Sequence, residues 1–367
     1  DLPEPVLPQQ ADYTPQLLAI LGSWNVCSKE WVIRQYDHEV QGGSVIKPLV
    51  GAENDGPGDA CVVTPVYGST RGISLGCGMN PKYGDIDPYW MAASAIDEAV
   101  RNVVAVGANP SRIALLDNFC WGNCDKPDRL GSLVRAAQGC RDVALAYGTP
   151  FISGKDSLNN EFATDSGETI AIPPSLLISA MAIVNDVRRC TTMDAKKAGN
   201  VLYIVGLTRA ELGGSHYYAL AEHIGNDVPR VDLEVAPRIF RAVASAIQTG
   251  LVRACHDLSE GGLAIAAAEM AFAGGLGIKI DLKRVPRTDD VVRDDVCLFS
   301  ESNTRFLIEV TPENQKKFEK VTADVPVAGI GRINDGGQVE IIGLGGSMII
   351  NADIESLKSA WKKPLAW

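Results

Sequence analysis

The chain has 367 residues, which is enough for two or three domains with a hydrophobic core each and too many for a small disulfide-stapled scaffold. With 34 basic and 45 acidic residues its formal charge is −11, which excludes a broad electrostatic grip on nucleic acid or on an anionic membrane. Hydrophobic residues make up 46% and charged residues 22%, as in soluble globular proteins, so disordered and fibrous folds are excluded as well.

The sequence also bears on the cellular location of the protein and on the nature of its N-terminal segment. No run of 18 apolar residues is present, so no membrane span is predicted. The nine cysteines are odd in number and scattered, which indicates reduced thiols in a cytoplasmic compartment. The opening segment DLPEPVLPQQADYTP lacks an initial Met and is rich in Pro and Gln, as linkers between domains are. We therefore expect a segment of a longer polypeptide.

The first half of the chain predicts mixed secondary structure. Two short amphipathic helices are predicted over residues 16–24 and 28–36. Residues 43–82 contain short β-branched or apolar runs separated by Gly, Pro and Asn, which predict strands. A long helix is predicted over 87–106, because apolar residues recur there with a period of 3.6 and a glycine follows.

Strands and helices continue to alternate beyond this helix. The predicted elements up to the middle of the chain are a strand over 112–116 that ends at Asp117, a helix over 130–147, a strand over 150–153 that breaks into a Gly-Lys-Asp-Ser turn, and a buried strand over 176–184. After a polar boundary at 188–198, the predictions are strands over 201–208, 252–256, 304–310 and 347–350, helices over 238–249 and 262–273, and a glycine turn over 343–346.

This alternation predicts an α/β or α+β protein with two domains. We place the domains at residues 43–187 and 199–352. Residues 1–42 are interpreted as a linker with leader helices, and residues 353–367 as a C-terminal helix or tail.

The strongest local signal is the segment CHDLSEGGLAIAAAEM. A strand ends at Asp257, Ser259 and Glu260 are placed to cap the next helix, and two glycines allow a tight turn. A helix N-terminus offers free N–H groups to an anion, and Asp257 is an oxygen ligand suited to Mg²⁺. The pattern predicts a phosphate and metal site, and a simple capping turn fits it equally well. His256 is expected to be a structural histidine.

Two weaker signals accompany it. In TPFISGKDSLNNEF a strand runs into Gly154, Lys155, Asp156 and Ser157, a composition typical of phosphate loops. The Walker spacing is absent, which argues against a P-loop NTPase. Acidic and amide residues form the second signal. Glu98 and Asn102 lie four apart and share a helix face, which fits either Mg²⁺ ligands or a solvated surface. The other two members of this series are Asp59 and Asp117.

Taken in order, the motifs resemble the C-terminal half of the phosphoribosylformylglycinamidine synthase family. The segments that carry the resemblance are WVIRQYDHEVQGG, GDACVV, NPKYGDIDP, AIDEAVRNVVAVGANP, LLDNFCWGN, PFISGKDSL and CHDLSEGGLA. The resemblance covers about residues 31–361 and implies the fold of the aminoimidazole ribonucleotide synthase superfamily. That fold pairs an N-terminal ferredoxin-like domain, which forms a barrel with a partner copy, with a C-terminal α/β domain.

The resemblance also implies an activity and partners. The family is an ATP-dependent ligase of purine biosynthesis. ATP phosphorylates the amide oxygen of formylglycinamide ribonucleotide, and glutamine-derived ammonia displaces phosphate from this iminophosphate-type intermediate to leave the amidine. The implied partners are the N-terminal half of the enzyme or a second copy, a glutaminase and the small-molecule substrate, with no nucleic acid and no membrane.

Site residues carry over from the resemblance position by position. In the active site Asp117 and Gly154 match nucleotide contacts, and Ser157 matches a substrate contact. The long family forms also have a second, auxiliary nucleotide site. Its Mg²⁺ ligands are matched by Asp59, Glu98, Asn102 and Asp257, and one of its nucleotide contacts is matched by Ser259. Gly58 borders this site. The implied cofactors are therefore Mg²⁺ and ATP or ADP.

One position departs from the short family forms. These have SGNVS where this chain has SGKDS, so Lys155 replaces an Asn that is expected to hold Mg²⁺. Either Asp156 takes over, or Lys155 contacts phosphate and the metal lies elsewhere. Long family forms share the GKDS sequence, so we expect the long-form arrangement. No catalytic residue is assigned, because the catalytic histidine of the family belongs to the N-terminal half, and the chain alone is expected to be inactive.

Two other functions remain open. The chain fits a stand-alone homodimeric ATP-using enzyme of the same superfamily, such as an aminoimidazole ribonucleotide synthase or a small-molecule kinase. It also fits a non-catalytic module in which a bound nucleotide stabilises an interface.

Overall fold

A computed structural model describes residues 4–367, which form eleven α-helices and seventeen β-strands. The helices are α1 (Thr14–Leu21), α2 (Glu30–Ile33), α3 (Pro81–Gly84), α4 (Pro88–Ala105), α5 (Pro127–Tyr147), α6 (His216–Ala219), α7 (Ala236–Gln248), α8 (Gly262–Gly274), α9 (Asp294–Phe299), α10 (Gln315–Val321) and α11 (Ile354–Lys362). The strands are β1 (Ser44–Ile46), β2 (Leu49–Val50), β3 (Gly56–Pro57), β4 (Cys61–Val63), β5 (Gly72–Gly78), β6 (Ile113–Cys120), β7 (Phe151–Ser157), β8 (Glu161–Ala163), β9 (Thr169–Ala171), β10 (Ser175–Val184), β11 (Val201–Val205), β12 (Val252–Asp257), β13 (Gly277–Asp281), β14 (Phe306–Val310), β15 (Val327–Asn334), β16 (Gln338–Ile342) and β17 (Met348–Asp353).

The first half of the chain forms a six-stranded sheet in the order β1-β4-β5-β10-β6-β7. All neighbours are antiparallel except β6 and β7, which are parallel. Helix α4 lies close against this sheet because β5 presents glycines to it. A Cβ added at Gly76 would lie 2.9 Å from Cβ of Asn102, and one added at Gly78 would overlap the carbonyl oxygen of Ala95. Small residues in β5 therefore bring the polar side chains of α4 to the end of the sheet.

The other face of this sheet carries apolar side chains and is open. Leu75 on β5 is 44% exposed, and its register partner Met181 on β10 is 40% exposed. Leu116 on β6 and Val45 on β1 are exposed in the same way. Strand β10 was predicted as a buried strand, and that prediction is wrong for one face, because only alternate residues point towards α4.

The second half forms a seven-stranded sheet in the order β12-β14-β11-β15-β13-β16-β17. Its neighbours are antiparallel except β13 and β16. Because both sheets are mainly antiparallel, the protein is α+β, one of the two classes predicted. The apolar helix α8 packs on this sheet, with α1 and α11 against it.

Helix α4 connects the two halves. Every residue from 91 to 105 is buried, since the helix contacts β5 and β10 on one side and β12 and α7 on the other. This helix nevertheless carries Asp97, Glu98, Arg101 and Asn102. Buried polar side chains are costly unless they are hydrogen-bonded, so their partners define the interior polar site described below.

Several sequence predictions need correction. Strand β7 does not break at the Gly-Lys-Asp-Ser segment but continues to Ser157, because it pairs with β6 along that length and Gly154 leaves room for Asp117 opposite. Strand β6 itself runs to Cys120, beyond the predicted end at Asp117. The second leader helix is the single turn α2. Within residues 4–367 no helix has both the length and the apolar character of a membrane span.

Candidate functional site

A polar cavity of about 180 Å³ lies between α4, the β12–α8 turn and the segment after β3. Its lining includes all six residues expected in the auxiliary nucleotide site: Gly58, Asp59, Glu98, Asn102, Asp257 and Ser259. Glu260, Glu269 and His256 complete its polar wall, and Asn25 of the leader also reaches it. Residues from four distant parts of the sequence therefore meet at one place.

The β12–α8 turn places Asp257 and Ser259 at the cavity. Gly261 and Gly262 have φ values of +72° and +64°, a conformation that favours glycine, and they turn the chain into α8. The prediction that Ser259 and Glu260 cap this helix is wrong. The N-cap is Gly261 and has no side-chain cap among residues 4–367. The hydroxyl of Ser259 instead donates to Asp257 and accepts from Arg101 at 3.0 Å.

His256 is held between two carboxylates. Its Nδ1 lies 2.7 Å from Oδ1 of Asp59, and its Nε2 lies 2.9 Å from Oε2 of Glu269. Burial opposes protonation, but the two carboxylates hold the pKa of His256 well above its ordinary value. Both ring nitrogens therefore carry protons that are already donated, and His256 is a satisfied structural residue, as expected.

Asp59 is fixed on one side and open on the other. Its Oδ1 accepts from His256 and, at 3.0 Å, from the backbone N–H of Asp257. Its Oδ2 is buried and has no hydrogen-bond partner within residues 4–367. A buried carboxylate oxygen without a donor is costly, and a cation in the cavity would satisfy it.

The two residues of α4 complete the donor set. Oε2 of Glu98 accepts from the backbone N–H of Met79 at 3.0 Å and from Nδ2 of Asn80 at 2.7 Å. Burial and repulsion by Glu260 raise the pKa of Glu98 well above its ordinary value. Asn102 donates from Nδ2 to the carbonyl oxygen of Cys77 at 2.9 Å, which leaves its Oδ1 as an acceptor. Their shared helix face is buried at the cavity, so the interpretation as a solvated surface is excluded.

These oxygens fit a divalent cation. Ligand atoms of Asp59, His256 and Asp257 lie within 4.8 Å of one another. The imidazole is unavailable because both of its nitrogens are used, so the remaining donors are carboxylate and amide oxygens from Asp59, Glu98, Asn102 and Asp257. Oxygen donors of this kind suit Mg²⁺, and a cation would also relieve the repulsion among the carboxylates.

A second polar cluster stands behind the turn and was not foreseen. The carboxylate of Glu301 accepts from the hydroxyl of Tyr83 at 2.6 Å, from Nδ1 of His216 at 3.0 Å and from the backbone N–H of Gly261 at 2.9 Å. It also accepts from the backbone N–H of His216 at 2.9 Å. No local pattern could have revealed this cluster, since Tyr83 and Glu301 are 218 residues apart.

The residues expected in the active site lie elsewhere, at the edge formed by β6 and β7. Asp117 is the register partner of Gly154, and a Cβ at Gly154 would overlap its carboxylate. Burial and the charge of Asp156 raise the pKa of Asp117. By strand alternation Asp117, Gly154 and Asp156 point to the helix side of the sheet, whereas Lys155 and Ser157 point to the open side and are hydrogen-bonded to each other. The edge therefore divides its polar groups between two faces.

Two family models match the chain. The N-terminal domain of AIR synthase related proteins matches residues 57–202, and the C-terminal domain matches residues 197–343. Together these domains span well over half of the chain, in the order that the sequence motifs implied.

Individual relatives agree with the family models. The chain is 36% identical over 355 residues to the phosphoribosylformylglycinamidine synthase subunit PurL of Methanocaldococcus jannaschii, which covers 95% of this chain and 46% of the relative. The chain thus spans about half the length of the curated relatives it matches. PurL of Thermotoga maritima in complex with FGAR aligns with a TM-score of 0.70 at 18% identity, over 96% of this chain and 54% of that one. The same PurL with ADP aligns with a TM-score of 0.70, also at 18% identity, over 95% of this chain and 52% of that one. These structures share the fold.

Proposed function

Since the chain belongs to the AIR synthase related family and carries both of its domains in order, we propose that it acts as the C-terminal half of a phosphoribosylformylglycinamidine synthase subunit. In this role it takes part in the ATP-dependent conversion of formylglycinamide ribonucleotide and glutamine-derived ammonia to formylglycinamidine ribonucleotide. Similarity to PurL over 95% of the chain supports this function over that of a stand-alone member of the superfamily.

The polar cavity is the observation that carries the proposal. Residues selected from the sequence, by local pattern and by resemblance, come from three separate segments and line it together. Asp59, Glu98, Asn102 and Asp257 would hold Mg²⁺, and the α8 N-terminus would face the phosphates of ATP or ADP. When bound, Mg²⁺ would neutralise both the carboxylates and the phosphate oxygens. A phosphorylated ligand needs this arrangement because the chain as a whole is acidic.

The β6–β7 edge is proposed as one wall of the active site. Lys155 and Ser157 face the open side of the sheet, where donors can reach a phosphate or the substrate. Asp156 shares a face with Asp117, which favours Asp156 over Lys155 as the residue that assists a metal there. Phosphoryl transfer depends mainly on positioning and charge neutralisation, so such a wall contributes without supplying a nucleophile.

The open sheet face indicates how that active site is completed. Leu75 and Met181 leave an apolar surface that one chain alone does not cover. We propose that the N-terminal half of the enzyme, or a second copy, packs on this face and supplies the catalytic histidine, and that a glutaminase supplies ammonia. The cytoplasmic location expected from the cysteines stays a prediction.

The test measures nucleotide binding and turnover separately. Calorimetric titration of the isolated chain with Mg·ADP is expected to show one binding site. Ammonia-dependent formation of ADP from ATP and formylglycinamide ribonucleotide is expected only after the complementary half of a PurL subunit is added. Robust turnover by the chain alone would contradict the proposal, as would the absence of any nucleotide binding.

A structural role of the bound nucleotide is a second candidate. The cavity is walled by α4 of the first half and by the β12–α8 turn of the second, so a ligand there would bridge both halves. The variant Asp257→Asn in the reconstituted enzyme distinguishes the two roles. Loss of thermal stabilisation by Mg·ADP with unchanged turnover indicates a structural nucleotide, whereas loss of turnover indicates a catalytic one.

A further inference from the structure

Arg101 lies behind the cavity and contacts four side chains. Arg101 is 2% exposed. Its Nε donates to Oδ2 of Asp257 at 3.2 Å and its Nη2 donates to Oγ of Ser259 at 3.0 Å. Its Nη1 donates to Asp97 and, at 3.1 Å, to Oδ1 of Asn303. The guanidinium group thus uses each of its three nitrogens on a different element of the fold.

Asp97 holds this guanidinium in place. Its side chain is fully buried and accepts from the hydroxyl of Tyr147, from the backbone N–H of Thr304 at 2.9 Å and from Oγ1 of Thr304 at 2.7 Å. Burial alone would lower the pKa of Arg101, but Asp97 and Asp257 raise it, so the group stays charged. A buried charge with a complete set of partners has one defined orientation.

The consequence for Asp257 is a division between its two oxygens. Oδ2 accepts from Arg101 and from Ser259, while Oδ1 accepts no hydrogen bond within the described residues 4–367. Arg101 therefore rotates the carboxylate so that one oxygen is used behind the cavity wall and the other remains for a ligand. The same guanidinium positions Ser259, which lies on the same wall.

We propose that Arg101 is a positioning residue for the cation and nucleotide site, which it serves by orienting Asp257 and Ser259 from behind without contacting the ligand. This rests on the proposed function, because it presumes that Mg·ADP binds in the cavity. Lysine cannot replace arginine in this role, since an ammonium group keeps the charge but lacks the planar fork that reaches Asp257, Ser259 and Asp97 together.

The test is a double-mutant cycle on the full chain, with Mg·ADP affinity measured by calorimetry. The variant Arg101→Lys is expected to weaken binding by about tenfold or more, the usual effect of losing a partner of a metal ligand. Ser259→Ala is expected to weaken binding in the wild-type background but to add little in the Arg101→Lys background, because the two residues act as a unit. Arg135→Lys, at an exposed ion pair with Asp87, is the matched control and is expected to bind as the wild type does.

A second variant keeps the test decisive if Arg101→Lys folds poorly. Asn303→Ala removes one brace on Nη1 and leaves every charge in place. It is expected to weaken Mg·ADP binding by about threefold, less than loss of the fork itself, with a melting temperature close to that of the wild type. The role of Arg101 would be overturned if the affinity losses of Arg101→Lys and Ser259→Ala simply multiplied in the double mutant. It would also be overturned if Asn303→Ala and a folded Arg101→Lys both bound Mg·ADP with wild-type affinity. Absence of binding by the wild-type chain would instead overturn the proposed function.

Discussion

The cavity at the β12–α8 turn and the edge formed by β6 and β7 have similar residue types but opposite environments. At the cavity, the side chains of Asp59, Asp257 and Glu98 are buried and each is fixed by donors from this chain. At the edge, the side chains of Lys155 and Ser157 are hydrogen-bonded to each other and to no other side chain within residues 4–367, and they lie beside an open apolar face. The comparison shows that this chain fixes the polar side chains of a site only where its own residues enclose them, as they do at the cavity and do not at the edge.

The largest effect is expected at the buried Glu301 cluster behind the β12–α8 turn, next to the cavity. Glu301→Gln removes the charge that pairs with His216 and is expected to lower the free energy of unfolding by about 3 kcal/mol, as when a buried ion pair loses one partner. The measurement is urea unfolding at pH 6. Glu168→Gln, on an exposed turn between β8 and β9, is the control and is expected to change stability little.

The same pair predicts a pH dependence. Although burial acts against each charge, the partner raises the pKa of His216 above 6.5 and lowers that of Glu301 below 4.5. The stabilisation from His216 is complete below pH 6.5 and is lost as the pH rises through its folded value. The stabilisation from Glu301 is complete above pH 4.5 and is lost as the pH falls through its folded value. The free energy of unfolding of the wild type should therefore exceed that of Glu301→Gln most between these two pH limits. A difference that does not change with pH would contradict the ion pair.

The next effect separates the two regions by ligand binding. Asp257→Asn removes a charged metal ligand from the cavity and is expected to weaken Mg·ADP binding by about 10- to 100-fold. Asp156→Asn, at the β6–β7 edge, is the control and is expected to leave this binding unchanged. Equal losses in both variants would show that the two regions form one site rather than two.

A smaller effect is expected from steric crowding at the edge. Gly154→Ala would place a Cβ against the carboxylate of Asp117 and is expected to cost about 1–2 kcal/mol of folding free energy. Gly131→Ala, on α5 with nothing within 4 Å, is expected to stabilise the chain by up to about 1 kcal/mol. Thermal unfolding of both variants checks the difference, and equal melting temperatures would mean that the edge tolerates a side chain at residue 154.

The smallest effect on stability is expected on the open sheet face. Met181→Glu should change the unfolding free energy of the isolated chain by less than about 0.5 kcal/mol, because the side chain already contacts solvent. It is nevertheless expected to prevent association with the complementary half, measured by sedimentation. Val134→Glu, at an exposed apolar position on α5, is the control for added charge. Association that survives Met181→Glu would place the partner on another surface.

The sequence predicted elements well where the signal was local. The helix over 87–106 agrees with α4 to one residue at each end, because its apolar period and the capping Asp87 are both local features. The continuation of β7 was missed because it depends on pairing with β6, more than thirty residues earlier in the chain. Strands β13 and β15 escaped prediction for the same reason, since they pair with each other across about fifty residues of chain. Strand β16 was missed as well, although it also pairs locally with β17.

The candidate site shows the same limit. Asp59, Glu98, Asn102 and Asp257 were found by their place in ordered motifs, and the structure brings them to one cavity. Ser259 was assigned a capping role from its spacing, but its hydroxyl instead accepts from Arg101 and donates to Asp257. Groups that act through distant partners carry no local signal of what they touch.

The double commitment of His256 has a consequence for metal selectivity. Zinc, copper and nickel gain much of their affinity for proteins from imidazole nitrogen or thiolate sulfur, whereas magnesium and calcium prefer hard oxygen donors. With both nitrogens occupied by Asp59 and Glu269, the histidine at the cavity cannot serve the softer metals without breaking two buried hydrogen bonds. In the proposed magnesium site, this pair of carboxylates would thus disfavour trace transition metals, which otherwise bind proteins more tightly than magnesium does.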